Sequence, residues 1–347
     1  MTISEIARRA GVSKGAVSFA LNDRPGVAEG TRARILAIAE ELGWYPNRAA
    51  RSLSAARADA CGLVLARPTR LLGFEPFFMQ FVAGVESALS SRSVALTIQL
   101  AEDVADEVEI HRRWWAERRV DGVILVDLRT KDPRVDAVAR LGLPAVVVGG
   151  PLPDGGLPAA WHAEAPVMRD VVRHLAELRH RRVARVAGTK GFVHTAARTR
   201  AFRRVTRSMS LSAEVVATDF TPESGADATR QLLTAAGRPT AIVYDSDVLA
   251  VAGLGAAQEL GLCVPDDLSI VAWDDSLLCE VVRPTITAVA RDVTAYGAAA
   301  ARRLLAAIDE DDAGDVETAR GELVVRGSTG RAPAVRRSRR RIAPNAT

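Results

Sequence analysis

The sequence of 347 residues has little of what marks a membrane protein, a secreted disulfide scaffold or a cofactor enzyme. Its three cysteines, Cys61, Cys263 and Cys279, show no metal-ligand spacing. They are too few for a disulfide framework and read as buried thiols. No apolar run approaches the roughly 18–20 residues that a membrane-spanning helix needs, and the N-terminus lacks the charged-then-apolar layout of a secretory leader. A cytoplasmic location without membrane attachment is therefore expected. Nor is there a phosphate loop, a Gly-x-Ser-x-Gly elbow or a metal-spaced His/Cys cluster. The five histidines, His111, His162, His174, His180 and His194, are dispersed and suggest no triad, so each is expected in a surface or structural role. A partial dinucleotide fingerprint, GLGAAQ from Gly253, falls inside a helical pattern instead of directly after a strand, and reads as helix packing. These absences argue against an enzyme, and no cofactor or metal is expected.

What is present is a long chain with 48% apolar residues, enough for more than one core. Its net charge of +4 is unevenly spread. Residues 1–60 carry nine basic against six acidic side chains, residues 331–347 carry six arginines and no acid, and the body between is net acidic. A basic head and tail imply a polyanionic partner for the ends. The tail itself reads as a disordered, solvated terminus.

The stretch ISEIARRAGVSKGAVSFALN, Ile3 to Asn22, sets two short apolar-periodic segments around Gly11. Thr2 is placed to cap the first, with Glu5 returning the bond in a capping box, and Gly11 suits the turn that follows. Ser13 caps the second segment, whose Val17, Ala20 and Leu21 continue an apolar stripe, with Val12 and Val17 placed as a hydrophobic staple. A third helix near Glu29–Leu42 turns Ile35, Ile38 and Leu42 inward and stops at Gly43. None of these helices can bury its stripe alone, so they should pack together as a helix-turn-helix cluster. Lys14, Gly15, Ser18 and Phe19 are then left off the packed face, where they can enter a DNA major groove; a plain helical bundle is the alternative.

From Ala60 the pattern changes. CGLVLA, VALTIQL, DGVILVD and PAVVVGG, then RVARVAG, AEVVATDF, TAIVYDS and LSIVAWDDS, are continuous apolar runs of strand length, as buried parallel strands require. Helices are expected near 77–89, 108–118, 165–178, 196–208, 225–236 and 247–260. Two such series predict an α/β body of two doubly wound, parallel-sheet lobes. Ligands gather at the carboxyl ends of such strands, which directs attention to Asp127, Asp245, Asp247, Trp273, Asp274 and Asp275. Each aspartate taken singly is as well read as a helix cap or turn residue.

One segment remains. YPNRAARSLSAARA, from Tyr45, places Leu53 among small residues and arginines with no stripe to join. Together with the head, this segment resembles the start of the lactose-repressor (LacI/GalR) family of bacterial transcription regulators, nearly unbroken over residues 2–55. RTRAF, PTAIVYDSDVLAVAGLGAAQELGLCVPDDLSIVAWDDS and LVVRGSTG continue the resemblance in order. It implies a periplasmic-binding-protein-like body and assigns roles by position. Lys14, Gly15 and Phe19 fall at base-reading positions; Thr2, Ser13, Ser18, Asn22 and Thr31 at backbone-contacting or helix-orienting ones; Asn47, Arg48 and Ala50 in a hinge helix; and Leu53 at a minor-groove wedge. Arg198 and Asp247 match positions that hold effector hydroxyls, which a guanidinium fork and a carboxylate suit. Asp127 stands at an equivalent strand end, and Phe77 or Trp273 could cover an apolar sugar face. Several family glycines are replaced, among them the one before His180, by Arg179, and the family's usual larger residue is Gly15 here.

The organisation expected is a helix-turn-helix domain at 1–45, a hinge helix and linker at 46–59, a two-lobed effector-binding and dimerisation domain at 60–330, and a basic tail at 331–347. The function implied is a transcription regulator, a repressor first, that binds a pseudo-palindromic double-stranded DNA operator in the nucleoid as a homodimer or a tetramer of paired dimers. A sugar-like effector is expected, a nucleobase or nucleoside, or no effector, being the alternatives. An exported solute-binding protein would share the body but not residues 1–60.

Overall fold

The computed structural model describes residues 2–21, 24–44, 57–67, 75–152, 156–311 and 314–334. They fall into two compact units, 1–59 and 60–347.

In the first unit, α1 (Ile3–Ala10), α2 (Lys14–Leu21) and α3 (Glu29–Glu41) pool their stripes. Ile6, Ala7, Ala10, Val17, Ala20, Ile35 and Ala39 are buried together, with Val12, Leu21, Ile38 and Leu42 packed against them. Gly11 ends α1 at φ +67°, a left-handed conformation that costs glycine little. The Ser13 hydroxyl accepts from the Ala16 amide at 3.1 Å, as a cap should. The expected capping box is absent: Thr2 stands at the N-cap without a side-chain bond. Glu5 instead pairs with Arg8 and Arg9 on the next turn, because a charged partner at i+3 or i+4 outcompetes a neutral amide.

The second unit carries two six-stranded sheets. The first contains β1 (Ala60–Leu65), β2 (Ala95–Leu100), β3 (Gly122–Leu125), β4 (Ala145–Val148), β5 (Ala159–Trp161) and β11 (Val316–Glu317), ordered β11-β5-β4-β3-β1-β2 and parallel throughout. The second contains β6 (Arg182–Ala187), β7 (Ser212–Ala217), β8 (Ala241–Tyr244), β9 (Ser269–Trp273), β10 (Thr287–Ala290) and β12 (Glu322–Val324), ordered β12-β10-β9-β8-β6-β7, with only β12 antiparallel. Strands β1, β3, β4, β8 and β9 are buried along their whole length, which explains their unbroken apolar runs.

Around the first sheet lie α4 (Pro76–Ser90), α5 (Val104–Ala116), α6 (Pro133–Leu141) and, returning from far along the chain, α12 (Val293–Ile308); around the second lie α7 (Glu164–Glu177), α8 (Val193–Ser208), α9 (Pro222–Thr234), α10 (Asp247–Glu259) and the short α11 (Leu277–Val281). The two β/α series are thus not two contiguous lobes. The chain crosses near 162, again near 291, and a third time near 318–321, and Tyr296, Ala300, Leu304 and Leu305 of α12 belong to the first lobe's core. Close α4–α12 packing depends on Gly84 and Gly297: a Cβ on Gly84 would lie 1.9 Å from the Thr294 carbonyl oxygen, and one on Gly297 would lie 2.1 Å from that of Phe81.

Cys61 and Cys279 are buried as expected, but Cys263 is exposed in the turn after α10, where its amide bonds to Asp267. Gly253 of the fingerprint-like stretch lies inside α10 against Tyr244, a packing contact. Among the described residues no helix is long and apolar enough to cross a membrane.

Candidate functional site

Strand ends of both sheets meet at a cavity of about 450 Å³. Arg67 enters it just after β1, Asp127 after β3, His162 after β5, Asp247 after β8, Asp274 after β9 and Arg291 after β10. Three of these lining residues, Asp127 (φ +53°), Phe220 (φ +69°) and Asp274 (φ +74°), sit in the left-handed region. Such conformations survive only where surrounding structure enforces them, and they aim side chains that an extended strand end would turn away.

Most of the cavity's charges are already matched. Arg67 grips Asp127 with two bonds, 2.6 and 2.9 Å, and reaches Glu75 at 2.7 Å. Its guanidinium also lies over Phe78 (4.7 Å) and Phe220 (5.2 Å), a cation–π sandwich between the lobes. Burial would raise the Asp127 carboxyl, but Arg67 holds it below its ordinary value. For Glu75 burial prevails and pushes it up to about 7. Arg291 pairs with Asp274 (Nε to Oδ1, 2.8 Å), contacts His162 at 2.6 Å and covers the Phe77 ring at 5.5 Å. Glu164 pairs with Arg198 at 3.1 Å and His162 at 3.2 Å; burial opposes its ionisation, but Arg198 and His162 hold the carboxyl well below the usual range. Burial, then Arg291, depresses His162, and burial with Arg198 takes His194 down to about 4, so His194 is neutral at pH 7. Behind them Asp245, a strand-end candidate, is consumed by a buried pair with Arg185 and by the Gly188 amide.

Asp247 differs. It opens α10, is only 3% exposed, lines the cavity, and is in none of the ion pairs among the described residues. Burial, reinforced by the neighbouring Asp274 carboxylate and eased by Ser276, raises it to about 6. Ser246, where the family has asparagine, serves α10 equally well by capping Leu249 at 3.2 Å.

In the head unit, Ser13, Lys14, Gly15 and Phe19 are exposed, Ser18 and Thr31 are half-buried and Thr2 is exposed. Phe19 keeps 42% of its surface open, an unusual exposure for a large aromatic in a small core. Asn22, Asn47, Arg48, Ala50 and Leu53 lie outside the described residues.

Residues 2–47 match the family described as bacterial regulatory proteins, lacI family, and residues 172–329 match the periplasmic binding protein-like domain. The transcriptional regulator CelR of Thermobifida fusca is 31% identical over 312 residues, covering 88% of this chain and 91% of that protein, and MalR of Streptomyces coelicolor is 34% identical, covering 96% and 98%. The chain belongs to the lacI family of bacterial regulatory proteins. It is a DNA-binding transcription regulator with an effector domain. Solved structures agree: a lac repressor dimer bound to operator and the anti-inducer ONPF superposes at TM-score 0.82 with 25% identity over 95% of this chain and 99% of that one, and a CelR–cellobiose complex at 0.73 with 30% identity over 94% and 99%.

Within the regulator's cavity the structure brings together Phe77, Asp127, Arg198 and Asp247, four of the five residues singled out for the effector. Trp273 is not among the lining. Its ring is fully buried in the second lobe's core beneath Arg198, 4.7 Å from the guanidinium, because β9 turns alternate side chains to opposite faces and Trp273 falls on the one packed against α7 and α8. His162 and His194 also line the cavity. Sequence reasoning missed Arg67, Glu164 and Arg291. Arg67 and Arg291 each stand just past a strand, the same signal that pointed to the aspartates, though β10 itself went unread.

Proposed function

We propose that this regulator is a repressor that binds a two-fold DNA operator as a homodimer and changes its grip when a small polyhydroxylated molecule enters the cavity. Lys14, Gly15 and Phe19 would face the bases; Thr2, Ser13, Ser18, Asn22 and Thr31 the phosphates; and Asn47, Arg48, Ala50 and Leu53 would form the hinge, Leu53 wedging a base step apart. The observation that carries the effector reading is Asp247, a buried carboxylate in no ion pair among the described residues, which lines a cavity of ligand size along with Phe77. Ligand hydroxyls donating to it would add to the bonds it accepts from the Val248 amide and Ser276. CelR, bound to cellobiose, supports a saccharide for this relative.

The test combines selection of operator DNA from a random pool with gel-shift titration in the presence of mono- and disaccharides. Leu53→Ala should weaken operator binding at least tenfold while leaving the melting temperature of the body unchanged. Asp247→Ala should retain operator affinity and lose the saccharide response. A monomer without site preference would sink the regulator assignment, and a normally responsive Asp247→Ala protein would sink the effector site.

A further inference from the structure

We propose that the effector carries an anionic group on a polyhydroxylated frame, and that Arg200 and Arg204 of α8 receive that group at one end of the cavity. This deepens the reading just given and rests on it. The wall of the cavity along α8 is built from Val193, Ala197, Arg200, Ala201 and Arg204, positions that recur at helical spacing and so share one face. Against that face the charges divide in a telling way. Arg67, Arg198 and Arg291, the other cavity arginines, are each locked to acidic partners and nine-tenths or more buried as side chains. Arg200 and Arg204 are exposed, and no ion pair among the described residues includes them. Arg203 and Arg207 of the same helix are also exposed but lie off the lining; at helical spacing the four arginines share one flank, of which Arg200 and Arg204 border the cavity.

Residues at i and i+4 on a helix have Cβ atoms about 5–6 Å apart, and like charges so placed repel one another. A phosphate or carboxylate between them removes that repulsion, and two guanidinium forks match its oxygens. The cavity is therefore polar in the electrostatic sense. Asp247, in no ion pair among the described residues, repels an anion and accepts from hydroxyls, whereas the α8 arginines, likewise in no described ion pair, favour an anion. A neutral sugar would satisfy only the acidic part.

The full-length protein is titrated calorimetrically with matched series: glucose, glucose 6-phosphate and glucuronate, then cellobiose with its phosphorylated and uronate forms. An anionic member should bind at least tenfold tighter than its neutral parent, and the better of the two anionic arms distinguishes phosphate from carboxylate. The preference should vanish in Arg200→Gln/Arg204→Gln and persist in Arg200→Lys/Arg204→Lys, with ligand-free operator binding unchanged in both. Neutral parents binding as tightly as their derivatives, a preference that survives the glutamine pair, or no binding of any derivative at millimolar concentration overturns the proposal. Failure of the regulator reading looks different: the protein then selects no DNA site in the absence of ligand, whatever the sugars do.

Discussion

At the scale of single residues the cavity uses one buried carboxylate at the cost of stability. Asp247 is raised from 3.8 to about 6, first by burial and then by Asp274. Below the unfolded value both states hold the proton and the group is neutral in the ledger. Between about 4 and 6 the native state keeps a proton that the unfolded chain has released, so stability falls as pH rises; above that window the loss is complete, up to about 3 kcal/mol. Asp247→Asn should therefore raise the melting temperature at pH 8 and give little change at pH 4, with loss of saccharide response at both. Equal melting at pH 8 would mean that the ionised carboxylate is not strained in the ligand-free protein. This residue was legible from its place after an apolar strand run. Trp273, one strand away, was equally visible but misjudged, because adjacent positions of a buried strand look alike in sequence while pointing to opposite faces.

At the scale of elements, sequence patterning served best where burial is two-sided. The eight continuous apolar runs all became strands, and the helices between them began within four residues of their expected starts. The strands β5, β11 and β12, two or three residues each, carry too few side chains for any pattern to register; β10, four residues like β3, β4 and β8, reads Thr-Ala-Val-Ala, less apolar than their runs, and α6 lacks a long stripe. Helix ends hold finer information. After α7 the His180 amide donates to the Leu175 carbonyl at 3.1 Å and the Arg179 amide to that of Ala176 at 3.0 Å, which is the Schellman closure. Arg179 occupies its left-handed position at φ +72°, where resemblance to the family leads one to expect glycine. Its side chain is exposed. Arg179→Gly should relieve the Cβ clash and stabilise the body by about 1 kcal/mol, read as an upward shift of the denaturant midpoint at constant slope. A downward shift would show that the Arg179 side chain contributes more than its backbone conformation costs.

At the scale of the molecule, the two lobes are joined by the chain crossings and also by a docking contact away from them. The loop after β3 lays its backbone against the start of α8: Thr130 donates to the Gly191 carbonyl at 2.9 Å and Val193 to that of Leu128 at 2.8 Å, while the Arg129 guanidinium covers the Phe192 ring at 5.1 Å. Behind this loop Arg134, buried with Glu107 and Asp132, donates to the Asp127 carbonyl and keeps the loop in shape. None of this was readable from sequence, since a backbone-to-backbone contact between lobes leaves no mark on side-chain identity. It bears on function because a ligand cavity formed by both lobes exists only while they are closed, and apparent affinity scales with the closed fraction. Val193 is the first residue of α8, where proline is tolerated, and Phe192 before it is already extended (φ −70°, ψ 134°), as a residue before proline must be. Val193→Pro therefore deletes one interlobe hydrogen bond and spares the helix. With a net value of about 1 kcal/mol for that bond, effector affinity should fall about fivefold relative to Val193→Ala, which removes the side chain alone, and small-angle scattering should report a wider ligand-free body. If the proline and alanine proteins bind effector equally, closure does not depend on this docking contact, and the crossings together with the Arg67–Phe220 contact set the angle between the lobes.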